Sequence, residues 1–203
     1  CCRTGKRNFS YRETKLMSSL QQTYEQLWET DAYRRSSPGE KCVDHFVSVA
    51  NPEVGSVIYD VGCGTGRAGQ RLIEKGYQVV GLDFAENAMD KNTTVPFIKW
   101  DVTIPPMVDK CDWVFCTDML EHLEPERVQQ SLCHIVGLAK WGCYFQISLR
   151  HSYHKGVNGE TLHLTVWDAA RWSEVFDQIS GVRHKSITEN KDKQELVVVL
   201  WVK

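Results

Sequence analysis

The chain has 203 residues, of which 42% are hydrophobic and 25% are charged, and its formal net charge at pH 7 is −2. This composition is typical of a globular protein, and the length suits one domain with a full core. The near-zero net charge argues against general electrostatic binding of nucleic acid. No apolar run approaches the roughly 20 residues that a membrane-spanning helix requires, so we expect no membrane insertion. No signal peptide is visible either.

The eight cysteines form no C-x-x-C pair, and several of them lie inside apolar strand or helix patterns. Thiols in such positions usually behave as small buried hydrophobic groups. We therefore expect reduced cysteines and a cytoplasmic protein. Their spacing does not suggest a zinc site.

The first 53 residues are interpreted as a basic arm followed by helices. Residues 1–12 are basic and turn-rich, which predicts a solvated tail and leaves a phosphate or RNA contact as an alternative. Apolar residues at helical spacing predict a helix from Glu13 to about Thr30 and a second one from about Gly39 to Ala50, with a loop between them. Asn51-Pro52 ends the second helix. We place residues 1–53 as an arm and cap helices, and residues 54–203 as the main domain of one compact unit.

The main domain opens with an apolar run, Val57 to Val61, that runs directly into three glycines at alternate positions. The run predicts a buried strand. The glycines remove Cβ atoms where a ligand can lie against bare backbone, and the next residues, Arg67 to Glu74, predict a helix. A strand, a glycine turn and a helix N-terminus together predict a nucleotide-binding site.

Two kinds of nucleotide fit this site. Gly64-x-Gly66-x-x-Gly69, with Asp83 about 20 residues farther on, matches the dinucleotide fingerprint and suggests NAD. Asp60, however, lies inside the same turn and would repel a pyrophosphate, whereas it suits a cofactor with an amino group and a sulfonium. The pattern Asp-x-Gly-x-Gly-x-Gly at residues 60–66 resembles motif I of class I S-adenosylmethionine (SAM) methyltransferases.

The later elements agree with that resemblance. Predicted strands and helices alternate from Val57 to about Leu149, and two strands at Gly181–Thr188 and Glu195–Val202 are expected to form a closing antiparallel hairpin. We predict an α/β, Rossmann-like fold: seven strands in a mostly parallel sheet, helices on both faces and extra N-terminal helices. Residues 103–110 carry little helical pattern, so the usual crossover helix is expected to be truncated.

The resemblance implies SAM as the cofactor and S-adenosylhomocysteine (SAH) as its product. It also implies roles for residues at the strand ends, with Asp83 on the ribose and Phe84, Asp101 and Val102 around the adenine. Helices before the first strand commonly cover the cofactor in this family, which implies that Tyr33 and Arg34 lie near the cofactor carboxylate. The full set of cofactor-binding residues predicted in this way is Arg34, Asp60, Gly62, Cys63, Gly64, Gly66, Asp83, Phe84, Asp101, Val102, Thr117 and Met119.

Methyl transfer from a sulfonium needs mainly positioning of the acceptor and exclusion of water. A base is required only if the acceptor loses a proton. Three histidines are candidates because imidazole titrates near neutral pH: His122, His154 and His163. His122 follows the fourth strand, and the other two lie in a long polar segment, Arg150–Thr165, of the kind that often forms substrate sites. We expect no metal site, because His151-x-x-His154 and His163 have no carboxylate or thiolate partners with ligand spacing.

Three functions are compatible with the sequence. A methyltransferase acting on N, O or C of a small molecule is favoured, because no added recognition domain or DNA-methyltransferase motif is present. A methyltransferase acting on protein or RNA, perhaps through the basic arm, is the first alternative. A non-catalytic SAM-binding subunit is the second. The oligomeric state is left open.

Overall fold

The computed structural model describes residues 11–35 and 37–202, without the side chains of residues 11–19. The predicted basic arm therefore lies almost entirely outside the described residues. The described chain contains seven strands: β1 (Val57–Val61), β2 (Gln78–Asp83), β3 (Phe97–Lys99), β4 (Cys111–Thr117), β5 (Ala139–Ser148), β6 (Val182–Asn190) and β7 (Glu195–Val202). They form one sheet in the order β3-β2-β1-β4-β5-β7-β6.

The sheet is parallel from β3 through β5. β7 runs antiparallel to both β5 and β6 and inserts between them. The strand order reverses between β1 and β4, so a crevice opens there at the carboxyl ends of the strands, where open α/β sheets bind ligands. The predicted fold, including the antiparallel hairpin at the end of the chain, is confirmed.

In the described part of the chain, six α-helices accompany the sheet: α1 (Tyr11–Trp28), α2 (Asp31–Arg34), α3 (Pro38–Ala50), α4 (Arg67–Glu74), α5 (Pro125–Leu138) and α6 (Ala169–Asp177). Phe46 of α3 and Leu72 of α4 pack in one core cluster with Ile58 and Phe115. Residues of α5 and α6 pack in a second cluster that contains Phe145. Both faces of the sheet are therefore covered, which explains why its central strands are almost continuously apolar.

Two connections differ from their predictions. The helix predicted after β2 is only a 3₁₀ turn, Glu86–Ala88, because the carbonyl groups of Asn87 and Ala88 accept hydrogen bonds from the Arg34 guanidinium instead of continuing a helix. The segment predicted as a loop after α1 contains the single turn of α2, which is too short to produce a periodic pattern. As predicted, the described residues between β3 and β4 contain no helix.

The long segment between β5 and α6 folds back over the carboxyl ends of the strands. A bridge pairs Lys155 with Thr161, and Thr165 fastens the end of the segment by donating its backbone N–H to Glu121 O at 2.9 Å and its hydroxyl to Leu123 O at 2.7 Å. Across the residues that the structure describes, no helix is both long enough and apolar enough to cross a bilayer.

Candidate active site

The glycine turn joins β1 to α4. Gly62, Gly64 and Gly66 have φ angles of +74°, +48° and +75°, which residues other than glycine rarely adopt. A Cβ on Gly62 would lie 2.5 Å from Cγ of Met119, and one on Gly64 would lie 3.1 Å from the Trp28 ring. Both backbone angle and space thus require glycine here, and the turn presents bare backbone to the crevice.

Asp83 connects the end of β2 to this turn. Its Oδ2 accepts a hydrogen bond from the Gly64 N–H at 3.0 Å, and its Oδ1 accepts one from the Ala85 N–H at 3.0 Å. Burial raises the pKa of Asp83, and these backbone donors oppose that increase. Each carboxylate oxygen has room for a further donor, so Asp83 can still accept hydroxyl groups of a ligand.

Asp60 lies at the end of β1 and is only 2% exposed. Among the described residues its Oδ2 has no hydrogen-bond partner. Burial, and secondly the charge of Asp83, raises the pKa of Asp60 to about 7 against an opposing hydrogen bond from the Gly69 backbone. A buried carboxylate oxygen without a partner favours a ligand that brings a donor or a positive charge.

Two cavities flank the turn. The larger, of about 640 Å³, is lined by Gly62 and Asp83 and by residues from the ends of β2, β3 and β4. It brings together Phe84, Asp101 and Val102, which were predicted around the adenine, and Met119, which was predicted to bind the cofactor. Asp101 organises its own loop, since Oδ1 accepts hydrogen bonds from the backbone N–H and the hydroxyl of Thr103.

The smaller cavity, of about 220 Å³, lies over the glycine turn itself. The predicted residues that line it are Asp60, Gly62, Cys63, Gly64 and Thr117. Its opposite wall comes from the long segment after β5, through Arg150, His154 and His163 among others. Gly66 is not among the lining residues of either cavity, and it instead caps the N-terminus of α4.

Arg34 lies apart from the other predicted cofactor residues. Its guanidinium donates to the carbonyl groups of Asn87 and Ala88 and forms an ion pair of 3.0 Å with Asp90. It is not among the residues that line either cavity. Arg34 thus fastens α2 to the segment after β2, because its guanidinium N–H groups donate to acceptors of that segment. Its contact with the cofactor carboxylate stays a prediction.

Three aromatic rings come from the N-terminal helices. Tyr33 was predicted near the cofactor carboxylate, whereas Tyr24 and Trp28 of α1 were not predicted at the site. Tyr24, Trp28 and Tyr33 all line the larger cavity, and Trp28 also lies against Gly64. The apolar stripe of α1 predicted a buried face, but helical periodicity does not tell whether that face covers core or cavity. α1 therefore serves as a lid over the crevice.

His122 stands beside this lid. Its Nδ1 lies 2.9 Å from the carbonyl oxygen of Leu162 and also contacts the Tyr24 hydroxyl. Because a carbonyl only accepts, Nδ1 carries the ring hydrogen. Burial, and secondly the nearby His163, lowers the pKa of His122 to about 3, so the ring is neutral and a weak base at neutral pH.

The other two candidate histidines differ from each other. His163 is 8% exposed, its Nδ1 donates to the Arg150 carbonyl, and burial lowers its pKa. The rings of His122 and His163 meet edge to face, with centroids 4.8 Å apart. His154 is exposed, and its ring contacts Tyr33. All three candidates line the smaller cavity, and His122 and His163 are also in ring contact with each other.

A pair of carboxylates close to His122 was not predicted. Glu121 is fully buried; its Oε1 accepts a hydrogen bond from the Ser148 N–H at 2.8 Å, whereas its Oε2 has no hydrogen-bond partner in the described chain. Burial, and then the charge of Asp118, raises the pKa of Glu121, and burial raises the pKa of Asp118 to about 6. Two such acids in a short motif resemble an ordinary helix start, so their burial could not be predicted from the motif.

Comparison with known proteins identifies the same part of the chain. A family model described as a methyltransferase domain matches residues 58–142. A protein from Geobacillus sp. strain WCH70, named as a methyltransferase, is 32% identical over 93 residues, which are 41% of this chain and 38% of that protein. Phosphoethanolamine N-methyltransferase 1 from Arabidopsis thaliana is 29% identical over 183 residues, which are 77% of this chain and 37% of that protein. The chain therefore spans less than two fifths of the length of these curated relatives.

Solved structures share the fold. The 1,6-didemethyltoxoflavin-N1-methyltransferase of Burkholderia thailandensis, solved with 1,6-didemethyltoxoflavin and SAH, matches with a TM-score of 0.69 at 14% identity and covers 98% of this chain and 93% of that one. The magnesium protoporphyrin IX methyltransferase of Synechocystis, solved with SAM, gives 0.60 at 16% identity, with coverage of 98% and 87%.

These likenesses, the strand order and the motif at residues 60–66 agree with one another. Residues 58–142 match the methyltransferase domain family, and the predicted resemblance of this chain to class I SAM-dependent methyltransferases is confirmed.

Proposed function

We propose that the chain binds SAM at the glycine turn and transfers its methyl group to a small-molecule acceptor. The observation that carries this proposal is the pair of buried carboxylates, Asp60 and Asp83, on either side of a turn of bare backbone. Such a site repels phosphates and favours a cationic ligand that carries hydroxyl groups. SAM as the predicted cofactor is further supported by the family match and by neighbours solved with SAM or SAH.

The residues present fit this cofactor. Asp60 has an unpartnered buried oxygen for a cationic group, and Asp83 has spare acceptor capacity for ribose hydroxyls. Phe84, Asp101 and Val102 supply an apolar wall and a carboxylate for an adenine ring. When bound, the cofactor supplies an electrophilic methyl group on a sulfonium.

Three observations support a small acceptor. The volume of the larger cavity, about 640 Å³, lies within the roughly 300–1,000 Å³ typical of small-molecule sites, and because the adenosine of the cofactor would occupy part of this cavity, the remaining space suits a small acceptor. Aromatic rings of the lid helix and apolar residues of the segment after β5, among them Trp28, Leu162 and Leu164, line it. Two structural neighbours bear the names of enzymes for planar small molecules, a porphyrin and a toxoflavin precursor. We infer an acceptor with a planar or apolar body.

The histidines limit the chemistry of this acceptor. A ring whose pKa is about 3, as in His122, takes up a proton poorly at neutral pH. We therefore propose that the acceptor attacks through an atom that is already nucleophilic, and that the protein contributes orientation and exclusion of water. The lid rings Tyr24 and Trp28 would provide that exclusion.

Methyl transfer itself tests this proposal. Purified protein is incubated with SAM labelled in the methyl group and with a panel of planar amines, phenols and carboxylates, and SAH release is measured together with label in the product. We expect turnover with at least one small acceptor, and loss of that turnover in Asp60→Ala. Label found only in RNA or protein fractions would contradict the small-molecule assignment, and SAM binding without any turnover would indicate a non-catalytic subunit.

A further inference from the structure

Three groups able to bind a metal meet under the lid helix. Glu121, His122 and His163 each offer one ligand atom, and these atoms lie within 4.8 Å of one another. One carboxylate and two imidazoles form the ligand set of many catalytic zinc and non-haem iron sites. We propose that these residues bind a divalent transition-metal ion, at a place where the sequence analysis expected none.

Hydrogen bonds prepare both histidines for this role. The Nδ1–H of His122 donates to the Leu162 carbonyl at 2.9 Å, and Nδ1 of His163 pairs with the Arg150 carbonyl. A carbonyl accepts only, so in each ring the hydrogen resides on Nδ1 and the lone pair on Nε2. Metal-binding histidines are commonly held by such a bond from the second ring nitrogen, which fixes both tautomer and orientation.

The carboxylate provides an independent argument. Glu121 is 0% exposed, and its Oε2 has no hydrogen-bond partner in the part of the chain that the structure describes. Buried carboxylate oxygens are normally hydrogen-bonded, paired with a cation or bound to a metal. Asp118 adds negative charge nearby, and its carboxyl group pairs with that of Glu121 only through a hydrogen bond in which one of the two acids holds a proton. A cation at this place would compensate the negative charge of both acids. Among the described residues, no basic side chain is shown to pair with Glu121.

The long segment after β5 assembles the cluster. Thr165, two residues after His163, donates its N–H to the carbonyl of Glu121 at 2.9 Å, which brings His163 to the turn that carries the other two ligands. Metal–ligand bonds of about 2.0–2.2 Å require ligand atoms roughly 3–3.5 Å apart in a tetrahedral site. The side chains would therefore draw together on binding.

The location suggests what the metal would do, and this step rests on the proposed function. His122 lines both cavities, and His163 lines the smaller one. Three protein ligands leave at least one coordination position open. That position would accept an oxygen or nitrogen atom of the methyl acceptor. We therefore expect the substrate to carry a group that can bind a metal ion.

Titration with Co²⁺ tests the site directly. Tag-free protein is treated with a chelator, and Co²⁺ is added while the visible absorption is recorded. Two imidazoles and a carboxylate should give one equivalent of a low-symmetry, intensified cobalt spectrum, which Zn²⁺ removes by competition and Mg²⁺ does not. Absence of a saturable spectrum at one equivalent would overturn the proposal.

Variants assign the ligands. Glu121→Gln keeps an acceptor for the Ser148 N–H, and His163→Asn keeps a polar group; each should weaken Co²⁺ binding at least 100-fold. His134→Asn is the matched control, because His134 also pairs through Nδ1 with a backbone carbonyl, that of Val102 at 2.8 Å, but lies outside the cluster. Circular dichroism verifies folding. Equal affinity in all three folded variants would contradict the assignment.

Proton NMR of the Co²⁺-loaded wild-type protein avoids dependence on the variants. Two exchangeable, hyperfine-shifted imidazole N–H signals are expected, one from each Nδ1–H, and their absence would contradict the site.

Calorimetry of the metal-free protein with SAM separates the two proposals. Cobalt binding without SAM binding would refute the cofactor assignment only, whereas SAM binding without cobalt binding would refute the metal site only.

Discussion

The carboxylate of Asp83 accepts a hydrogen bond of 3.0 Å from the backbone N–H of Gly64, which ties the end of β2 to the middle of the glycine turn. The same side chain accepts a hydrogen bond from the Ala85 N–H. Asp83 therefore both shapes the turn and faces the cavity. Two distinct consequences follow, one for the loop and one for a ligand with hydroxyl groups.

We expect Asp83→Ala to weaken the binding of SAM and of SAH to a similar extent, since both carry the ribose. Loss of hydrogen bonds to a charged group costs about 1.5–3 kcal/mol, or roughly 10- to 100-fold in affinity. Isothermal titration calorimetry measures both constants. Asp192→Asn, in the exposed turn before β7, is the control and should leave them unchanged. A large loss for only one of the two ligands would contradict the ribose role.

The affinity for SAM should depend on pH through Asp60. Its pKa in the free protein is about 7, so the carboxylate fraction grows as pH rises through 7. Because only the carboxylate attracts a cation, affinity should rise with pH, approaching tenfold per pH unit below the pKa. Asp83, whose pKa is also raised, faces the same turn, so Asp60→Asn is needed for assignment. Titrations at pH 5.5, 7 and 8.5 should show a slope in the wild type that this variant largely loses.

The same carboxyl group affects stability. The pKa of Asp60 is raised from 3.8 to about 7 on folding, so the folded state binds a proton that the unfolded state has released between these values. The resulting stabilisation is present below about pH 4 and is lost as pH rises through 7. Asp60→Asn should therefore gain stability relative to the wild type between pH 5 and pH 8 in urea unfolding. If the difference in free energy of unfolding between the two proteins does not change with pH, Asp60 has an ordinary pKa.

Two glycines with similar φ angles separate backbone strain from steric fit. Gly62 (φ +74°) faces Met119, whereas Gly55 (φ +88°) has open space where a Cβ would be. Alanine at a positive φ costs about 1–2 kcal/mol in either place. Gly62→Ala adds a clash at the cofactor turn, so it should lower the free energy of unfolding further and also abolish SAM binding. Calorimetry should find that Gly55→Ala binds SAM normally; equal affinity in both variants would remove the turn from the site.

Tyr24→Phe tests the lid. The Tyr24 hydroxyl contacts Nδ1 of His122 at the edge of the larger cavity. Phenylalanine keeps the apolar cover but removes the polar contact, so turnover should fall about tenfold, the equivalent of one hydrogen bond of roughly 1.4 kcal/mol, while SAM affinity changes little. Tyr59→Phe is the control, since the Tyr59 hydroxyl donates to the Asp109 carbonyl far from the site. If both variants retain full turnover, the hydroxyl has no role in the reaction.

The fold was predictable because its signals are local. Each central strand is an apolar run, and β1 and β2 end in an acid or a glycine turn, so element order and the crevice follow from neighbouring residues. The closing hairpin is a second example, since the strands predicted at Gly181–Thr188 and Glu195–Val202 are observed as β6 and β7.

The site was predictable only where the chain itself brings groups together. Asp60 and the glycines are sequence neighbours, but the partner of Arg34 is Asp90, and Glu121 meets His163 only after the segment following β5 has folded back. The direction of Tyr24 was also hidden, because a helical stripe does not reveal what it covers. These relationships arise from packing between distant segments, which spacing in one sequence does not encode.

The central claim is that two buried carboxylates around bare backbone select a sulfonium-bearing adenosine cofactor rather than a dinucleotide. Calorimetric titration of the purified chain with SAM, SAH and NAD⁺ tests it most directly. The account predicts saturable 1:1 binding of SAM and SAH, which Asp60→Ala abolishes, and no heat of binding with NAD⁺. Saturable binding of NAD⁺ together with no response to SAM would contradict it.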